Sequence, residues 1–171
     1  MFEAPQTSLS RPRTRHPSAA DVFVENWPNH VGLTATPTHR SLLEVAGEVV
    51  GLVGYESARI DVTRDQRGYH CAGIRAQAPD PNGIWIQEVR IPRGICVNSA
   101  QSLLRIPRLV AMEEGLEWVA CRVHGQHWPE RASQARWRTD CEPFLWLFWR
   151  ESFVDVAEND GLTMFWRNPA F

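Results

Sequence analysis

The feature that most constrains the fold is a strict alternation of side chains over residues 58–63, which read Ala-Arg-Ile-Asp-Val-Thr. Because successive side chains of a strand point to opposite faces, this alternation predicts a half-buried β-strand. A turn sequence follows at 65–68, and alternation resumes over 69–78, so a β-hairpin is expected. A second turn at 79–83 and a third strand over 84–91 extend the prediction to an antiparallel meander.

A helical period precedes these strands. Thr36 can cap a helix that has Pro37 at its first position. Apolar residues at 42, 45, 46, 49 and 53 then recur at helical spacing, which predicts a helix from Pro37 to about residue 53. A shorter helix is expected at about 19–27, and a third is expected from Pro107 to about Glu114.

The remainder of the chain is rich in predicted strands. They cover 116–124, 144–149, 153–157 and 162–166, and the last two flank a turn of Asn, Asp and Gly. The pattern as a whole indicates an α+β fold. We expect an antiparallel β-sheet of about five to seven strands, with two or three helices packed on one face.

The length of 171 residues suits one domain. Residues 1–17 carry three prolines and three arginines without apolar periodicity, so we expect a flexible Arg/Pro-containing leader. Residues 18–171 are then a single globular α+β domain. The sequence has neither a run of about 20 apolar residues nor an apolar signal region, so no membrane association is expected.

Charge and cysteine content narrow the partner and the compartment. The net charge of −2 excludes a uniformly basic nucleic-acid protein. All 18 basic residues are arginine, and a composition bias over the whole chain explains the lack of lysine better than any one site does. The four cysteines are widely spread, which indicates free thiols in a reducing compartment and predicts a cytoplasmic protein. The oligomeric state cannot be inferred from these features.

One group of residues has the chemistry of a metal site. Thiolate and imidazole are the preferred zinc ligands, and four of them close a tetrahedral structural site. The candidates are Cys121, His124, His127 and Cys141. The two histidines are separated by fewer residues than in usual zinc motifs, and a strand would point Cys121 and His124 to opposite faces. No cofactor is therefore favoured, and zinc is kept as an alternative.

The polar loop 125–143 contains the most attractive partner-binding stretch, at 127–138. Its aromatic faces can stack on bases or apolar surfaces, while its guanidinium groups can hold phosphates or carboxylates. The residues proposed to bind a protein or nucleic-acid partner are Trp128, Arg131, Arg136, Trp137 and Arg138. Five of the eight tryptophans lie in predicted strands, where they could form an aromatic sheet face: Trp85, Trp118, Trp146, Trp149 and Trp166.

Candidate catalytic residues are few. His70 and Cys71 are adjacent on a predicted strand and point to opposite faces, so they cannot activate each other. His70 and His124 are nevertheless the best candidates for an acid–base group. The sequence contains none of the linear motifs of P-loop hydrolases, dinucleotide oxidoreductases, serine hydrolases or zinc proteases.

The leading interpretation is a non-catalytic binding or adaptor protein. It would use the aromatic sheet face and the Arg/Trp-rich loop to hold a protein or nucleic-acid partner. One alternative is a small-molecule enzyme with a histidine acid–base group in a pocket between sheet and helices. A second alternative is a zinc-stabilised domain. Enzymatic activity is thus left open by the sequence.

Overall fold

The computed structural model describes residues 31, 37–66, 68–92, 100–124, 147–158 and 161–171. A 3-10 turn over Gln101–Leu104 leads into helix α1 (Arg105–Glu114), and residues 147–150 are also helical. The strands found in these parts of the chain are β1 (His39–Val45), β2 (Glu48–Asp65), β3 (Gly68–Ala76), β4 (Gly83–Arg90), β5 (Trp118–His124), β6 (Val154–Glu158) and β7 (Gly161–Arg167).

The strands form one sheet in the order β1-β2-β4-β5-β7-β6, and β3 pairs with the outer half of β2. The pairings within the sheet are antiparallel except that of β4 with β5, which is parallel. A parallel pair needs a crossover, and the 3-10 turn and α1 lie in the segment that supplies it. The α+β class and the predicted number of strands are confirmed.

The predicted helix that begins at Pro37 is wrong, because this segment forms the β1–β2 hairpin. Its two-residue turn consists of Ala46 and Gly47, whose φ angles of 52° and 79° match the type I′ turn that suits a twisted hairpin. The apolar residues that fit a helical period also fit two strands. β-Branched valines at 45, 49, 50 and 53 favour the strands.

Some of the other secondary-structure predictions are confirmed and some are wrong. The strands over 58–63, 69–78, 84–91, 116–124, 153–157 and 162–166 are confirmed to within a few residues, as is α1. The meander is wrong, because β4 pairs with the inner half of β2 rather than with β3. The strand predicted over 144–149 is also wrong where the structure describes it, since residues 147–150 are helical. The helix expected at about 19–27 lies outside the described residues.

The sheet packs on both sides. Alternate residues of β5 divide between two apolar clusters, with Val119 and Cys121 in the larger and Trp118 and Ala120 in the smaller. We call the side of Val119 the first face and the side of Trp118 the second face. Residues of α1 and of the helical turn at 147–150 belong to the larger cluster, so these helices cover the first face.

The second face is covered by the outer part of the β2–β3 hairpin. Ile60 of β2 and Cys71 of β3 join the smaller cluster with Phe165 of β7. The ring of Tyr69 meets that of Trp118 edge-on, with 5.0 Å between centroids. Within the described residues, no helix is long and apolar enough to cross a bilayer.

Candidate functional site

The sheet opens between β4 and β5. The two strands pair from Gly83 with Trp118 as far as Ile86 with Cys121, at their amino-terminal halves. Beyond that point β4 pairs with β2 alone, and β5 pairs with β7 alone, within the described residues. The facing edges at the carboxyl-terminal halves, which we call the split, do not pair with each other. Ligands of open sheets bind beyond the carboxyl ends of neighbouring parallel strands, so the split is the first candidate site.

A β-bulge lies where the split opens. Glu88 pairs with Gly54 and Ile86 pairs with Tyr55, which leaves Gln87 without an opposite residue on β2. An extra residue bends its strand and increases the local twist, and bulges are frequent beside active sites. The bulge at Gln87 therefore accounts for the departure of β4 from β5.

The bulge residue belongs to a buried polar network. Gln87 is 1% exposed, and its Nε2 donates to Glu56 Oε1 at 2.6 Å. The other oxygen of Glu56 accepts from Thr38 Oγ1 at 2.8 Å and from Gln77 Nε2 at 3.3 Å. A buried carboxylate with such donors is well satisfied, although burying it without them is costly. This network ties β2 and β4 to Thr38, the residue before β1, next to the split.

A second buried carboxylate follows the bulge directly. Glu88 is 3% exposed and accepts two hydrogen bonds from Arg40, from Nε at 3.0 Å and from Nη2 at 3.1 Å. Arg90 Nη2 lies 3.4 Å from the same carboxylate. Bidentate guanidinium pairing fixes the orientation of a carboxylate as well as balancing its charge. Glu88 is thus a positioned anionic group on the strand that borders the split.

These polar groups lie on one side of the sheet. Val89 belongs to the first-face cluster, so its neighbour Glu88 points to the second face. Trp85 packs against the second-face cluster. Thr163 lies two residues before Phe165 of that cluster on β7, so both side chains point to the same face. Trp85 Nε1 and Thr163 Oγ1 are buried and have no hydrogen-bond partner among the described residues. Buried donors of this kind are unusual, and a bound ligand is one way to satisfy them.

A cavity lies between strands β1 and β2 and the end of α1. It has a volume of about 530 Å³ and is bordered by the start of β1, the middle of β2, the start of β4 and the end of α1. A cavity of this size suits a small organic molecule. Its lining residues are Thr38, His39, Arg40, Ser41, Tyr55, Ser57, Ile84, Val110, Glu113 and Glu114.

The two predicted acid–base histidines occupy different places. His70 lies on β3, with Nε2 at 3.0 Å from Asp65 Oδ2, and it does not line the cavity between sheet and helix. His124 is the last residue of β5 and pairs with Gly161 of β7, so it stands at the carboxyl end of a strand that borders the split. His39, which the sequence analysis did not single out, is the histidine that lines the cavity.

The predicted zinc ligands are only partly described. Cys121 is fully buried on the first face, and desolvation by burial raises the pKa of its thiol above the ordinary value. Zinc binds the thiolate, which this environment disfavours. No group of three or more metal-binding side chains occurs within the described residues. Since His127 and Cys141 lie outside these residues, the complete set stays a prediction.

The predicted partner-binding surfaces fare differently. Trp128, Arg131, Arg136, Trp137 and Arg138, in the loop at 127–138, lie outside the described residues. The aromatic sheet face is wrong for the tryptophans that can be compared. Trp85 and Trp118 are on the second face and Trp166 is on the first, and Trp118 and Trp166 are buried, at 6% and 5% exposed. Trp149 is helical rather than in a strand, and Trp146 is not described.

Comparisons with known proteins give structural matches only. No family model matches the chain, and no curated protein matches it by sequence. Three solved structures that it resembles are a GNAT domain of Streptomyces lividans PAT, a GNAT-family acetyltransferase from Listeria monocytogenes, and an AtaT mutant toxin bound to AtaR and acetyl-CoA. The sequence identities are 15%, 13% and 7%, with TM-scores of 0.45, 0.43 and 0.38.

The matches are partial in both directions. They cover 76%, 75% and 77% of this chain, and 60%, 64% and 69% of the three matched chains. The chain therefore spans less than two thirds of the length of the first two structures.

The interpretation as a non-catalytic binding or adaptor protein is wrong. The physical reason lies in the sheet: Trp118 and Trp166 are core residues on opposite faces, so they offer no common surface to a partner. The charged groups lie instead beside an opening in the sheet, where small ligands bind.

The residues that the sequence analysis missed are Glu56, Gln87 and Glu88. A signal for them was present in the strand 84–91, where Gln87 and Glu88 interrupt an otherwise apolar alternation. Two consecutive polar residues inside a buried strand indicate a bulge or a site.

Proposed function

We propose that this chain is an acyltransferase that moves an acyl group from a coenzyme A thioester to a small primary amine. The observation that carries the proposal is the split, where parallel strands part after Ile86 and Cys121 next to a bulge. Acetyl-coenzyme A, the ligand of one matched structure, is the first donor to test.

The facing edge of β4 suits the arm of coenzyme A. That arm is a narrow, extended chain with two amide groups, and extended amide chains bind by adding themselves to an unpaired strand edge. Residues 88–90 pair with β2 on one side and face the split on the other. Their backbone groups are therefore placed to hold the arm without any specialised side chain.

The polar groups on the second face suit the transfer step. When an acyl-coenzyme A is bound, it supplies an activated acyl carbon in a thioester. The amine nitrogen forms a bond to that carbon, the carbon–sulfur bond breaks, and the sulfur leaves and takes up a proton. We assign Glu88 as the acceptor of the amine proton, because it is a buried carboxylate on the strand that borders the split. Arg40 fixes its orientation.

Two further groups are assigned to charge stabilisation. Negative charge develops on the carbonyl oxygen of a thioester during acyl transfer, and preorganised donors stabilise it. Trp85 Nε1 and Thr163 Oγ1 are donors on the second face without partners among the described residues. His124, at the end of β5, stays a candidate for the group that returns a proton to the sulfur.

Direct binding and product detection test the proposal. Calorimetric titration of the full chain with acetyl-coenzyme A is expected to show saturable binding. Incubation with a panel of primary amines is expected to give an acetylated amine by mass spectrometry. Failure to bind acetyl-coenzyme A, or the absence of product with every amine, would overturn the proposal.

Single-residue deletions test the location of the site. Deleting Gln87 removes the bulge, which would let β4 continue beside β5 and close the split, so binding of acetyl-coenzyme A should be lost. Deleting Ala72 is the matched control, because it removes the bulge residue of β3, away from the split. Circular dichroism establishes that both variants fold. Equal affinity of the two folded variants would exclude the split as the site.

The role of Glu88 has its own test. In Glu88→Gln the rate of transfer should fall about 100-fold, while the affinity for acetyl-coenzyme A stays unchanged. The matched control is Glu44→Gln, which changes an exposed carboxylate of β1. A parallel loss of affinity and rate would assign Glu88 to the structure instead.

Two further expectations accompany the proposal. The cytoplasmic location predicted from the cysteines stays a prediction, and Cys71 and Cys121 are buried thiols that form no disulfide. The zinc-stabilised alternative also stays a prediction, which elemental analysis of the purified protein can test.

A further inference from the structure

We infer that the cavity between β1 and the end of α1 binds an amphipathic organic cation, of the chemical class of aromatic primary amines. This inference does not require acyl transfer, although Arg40, which lines the cavity, also holds the carboxylate of Glu88. The cavity reaches β4 at Ile84, near the amino end of that strand, whereas the split opens beyond Ile86.

The negative charge of the cavity comes from the end of α1. Glu113 and Glu114 are the last two residues of this helix, both are exposed, and both line the cavity. The last turn of α1 holds no basic residue, and neither carboxylate pairs with another described residue. The carboxyl end of a helix carries a partial negative charge that two more anions reinforce, and cations stabilise such an end. A bound ammonium group would supply the missing positive charge.

The one cationic side chain among the described lining residues does not cancel this charge. Arg40 reaches the cavity, but its guanidinium is held bidentately by Glu88 at 3.0 and 3.1 Å. Glu88 is shared with Arg90, whose Nη2 lies at 3.4 Å, and the described lining residues themselves carry two carboxylates and one guanidinium group. The two carboxylates of α1 therefore set the sign of the potential inside the cavity.

Two aromatic side chains line the cavity. The rings of His39 and Tyr55 are stacked, with centroids 5.7 Å apart and an angle of 26° between their planes. Ile84 adds an apolar surface next to them. A flat aromatic group can stack on this wall, and an ammonium group close to an aromatic face is attracted by its quadrupole.

Two buried hydroxyl groups that line the cavity have hydrogen-bonding capacity left for a ligand. Ser41 and Tyr55 are 5% and 7% exposed, and their oxygen atoms lie 3.5 Å apart. Two hydroxyls carry two donor hydrogens, and their mutual contact uses only one. At least one donor is therefore available for a polar substituent on the ligand. The cavity lining thus combines carboxylates, aromatic rings and a hydroxyl donor, which together match an aromatic amine.

The test uses 2-phenylethylamine as the probe, with the full chain and no acyl donor. Calorimetric titration should show saturable binding of the amine, and 2-phenylethanol, which lacks the charge, should bind at least about tenfold more weakly. Absence of binding by the amine, or equal affinity for the alcohol, would overturn the inference.

Paired variants locate the site. Changing both Glu113→Gln and Glu114→Gln should lower the affinity for 2-phenylethylamine by about tenfold or more. The matched control changes Glu44→Gln and Glu48→Gln, two exposed carboxylates outside the cavity. Ser57→Phe, which fills the cavity without altering charge, should also abolish binding. If the affinity of the α1 double variant equals that of the control, or if Ser57→Phe binds normally, the cavity is not the site. Because no acyl donor is present, these results are unaffected by failure of the acyltransferase proposal.

Discussion

The side chains of Gln87 and Glu56 join β4 to β2 at the residue where their register changes, through a hydrogen bond of 2.6 Å. The amide of Gln87 is buried, and it serves a carboxylate that is 4% exposed. The bulge that opens the sheet is therefore fixed by a side chain as well as by the backbone.

Replacement of Gln87 by Ala should destabilise the protein by about 1.5–3 kcal/mol, because it removes a donor from a buried charged group. Urea unfolding followed by circular dichroism measures the change. Gln77→Ala is the control, since Gln77 donates to the same carboxylate at the longer distance of 3.3 Å. A smaller effect is expected for Gln77→Ala. Equal effects of the two substitutions would show that the burial of Gln87 does not increase its contribution to the free energy of unfolding.

Arg40→Ala should be more damaging. It leaves Glu88 buried with only the contact to Arg90, at 3.4 Å, and removal of one partner of a buried ion pair costs about 3–5 kcal/mol. Arg40→Lys should recover little, because an ammonium group cannot form the bidentate contact. The control is Arg167→Ala at the more exposed pair with Glu117, where a loss of about 0–1 kcal/mol is expected. Urea unfolding of the three variants gives the comparison.

Gly83→Ala should lower stability by about 1–3 kcal/mol. A Cβ at this position would lie 2.7 Å from the backbone oxygen of Trp118 and 2.6 Å from Ile60 Cδ1, at the closest approach of β4 to β5. Gly73→Ala is the matched control, since its Cβ would meet only Asp61 Oδ2, at 3.6 Å. Thermal melting compares the two variants. Equal melting temperatures would contradict the close packing of β4 against β5.

Cys121 should make the protein sensitive to alkali. Burial raises the pKa of this thiol above its ordinary value of 9.0, so at higher pH the folded state keeps a proton that the unfolded state loses. Stability from this group is fully present below pH 9 and is lost as pH rises above it, by up to about 1.4 kcal/mol per pH unit. Urea unfolding between pH 8 and about pH 11 should show a steeper decline for the native chain than for Cys121→Ala. Parallel declines would mean that the thiol ionises normally in the folded chain.

The local alternation of apolar and polar residues, together with turn sequences, was sufficient to predict many strands of the sheet. The alternation over 58–63 and the Asn-Asp-Gly turn before β7 identified strands whose pairing partners are close in sequence. The β1–β2 hairpin was missed because its apolar spacing satisfies two periods. Its turn also uses Ala46 at positive φ, a conformation that alanine rarely adopts and the sequence does not announce.

The candidate site was less accessible to prediction. Glu88 meets Arg40 across 48 positions, and Gln87 meets Glu56 across 31. Such contacts depend on the order of strands in the sheet, and the sequence led to a meander in which β4 would lie beside β3. The crossover that places β5 parallel to β4 brings together strand ends that no local pattern relates.

The short parallel pairing has a mechanical consequence. Within the described residues, strand pairing joins the β1–β4 part of the sheet to the β5–β7 part through the four register pairs from Gly83 with Trp118 to Ile86 with Cys121. A small rotation about this hinge produces a larger displacement at the far ends of the two strands. Helix α1 packs against both β4 and β5 and therefore resists that rotation. The width of the opening thus depends on the stiffness of four residue pairs, of α1, and of the β2–β3 hairpin that packs against Trp118 and Phe165 on the second face.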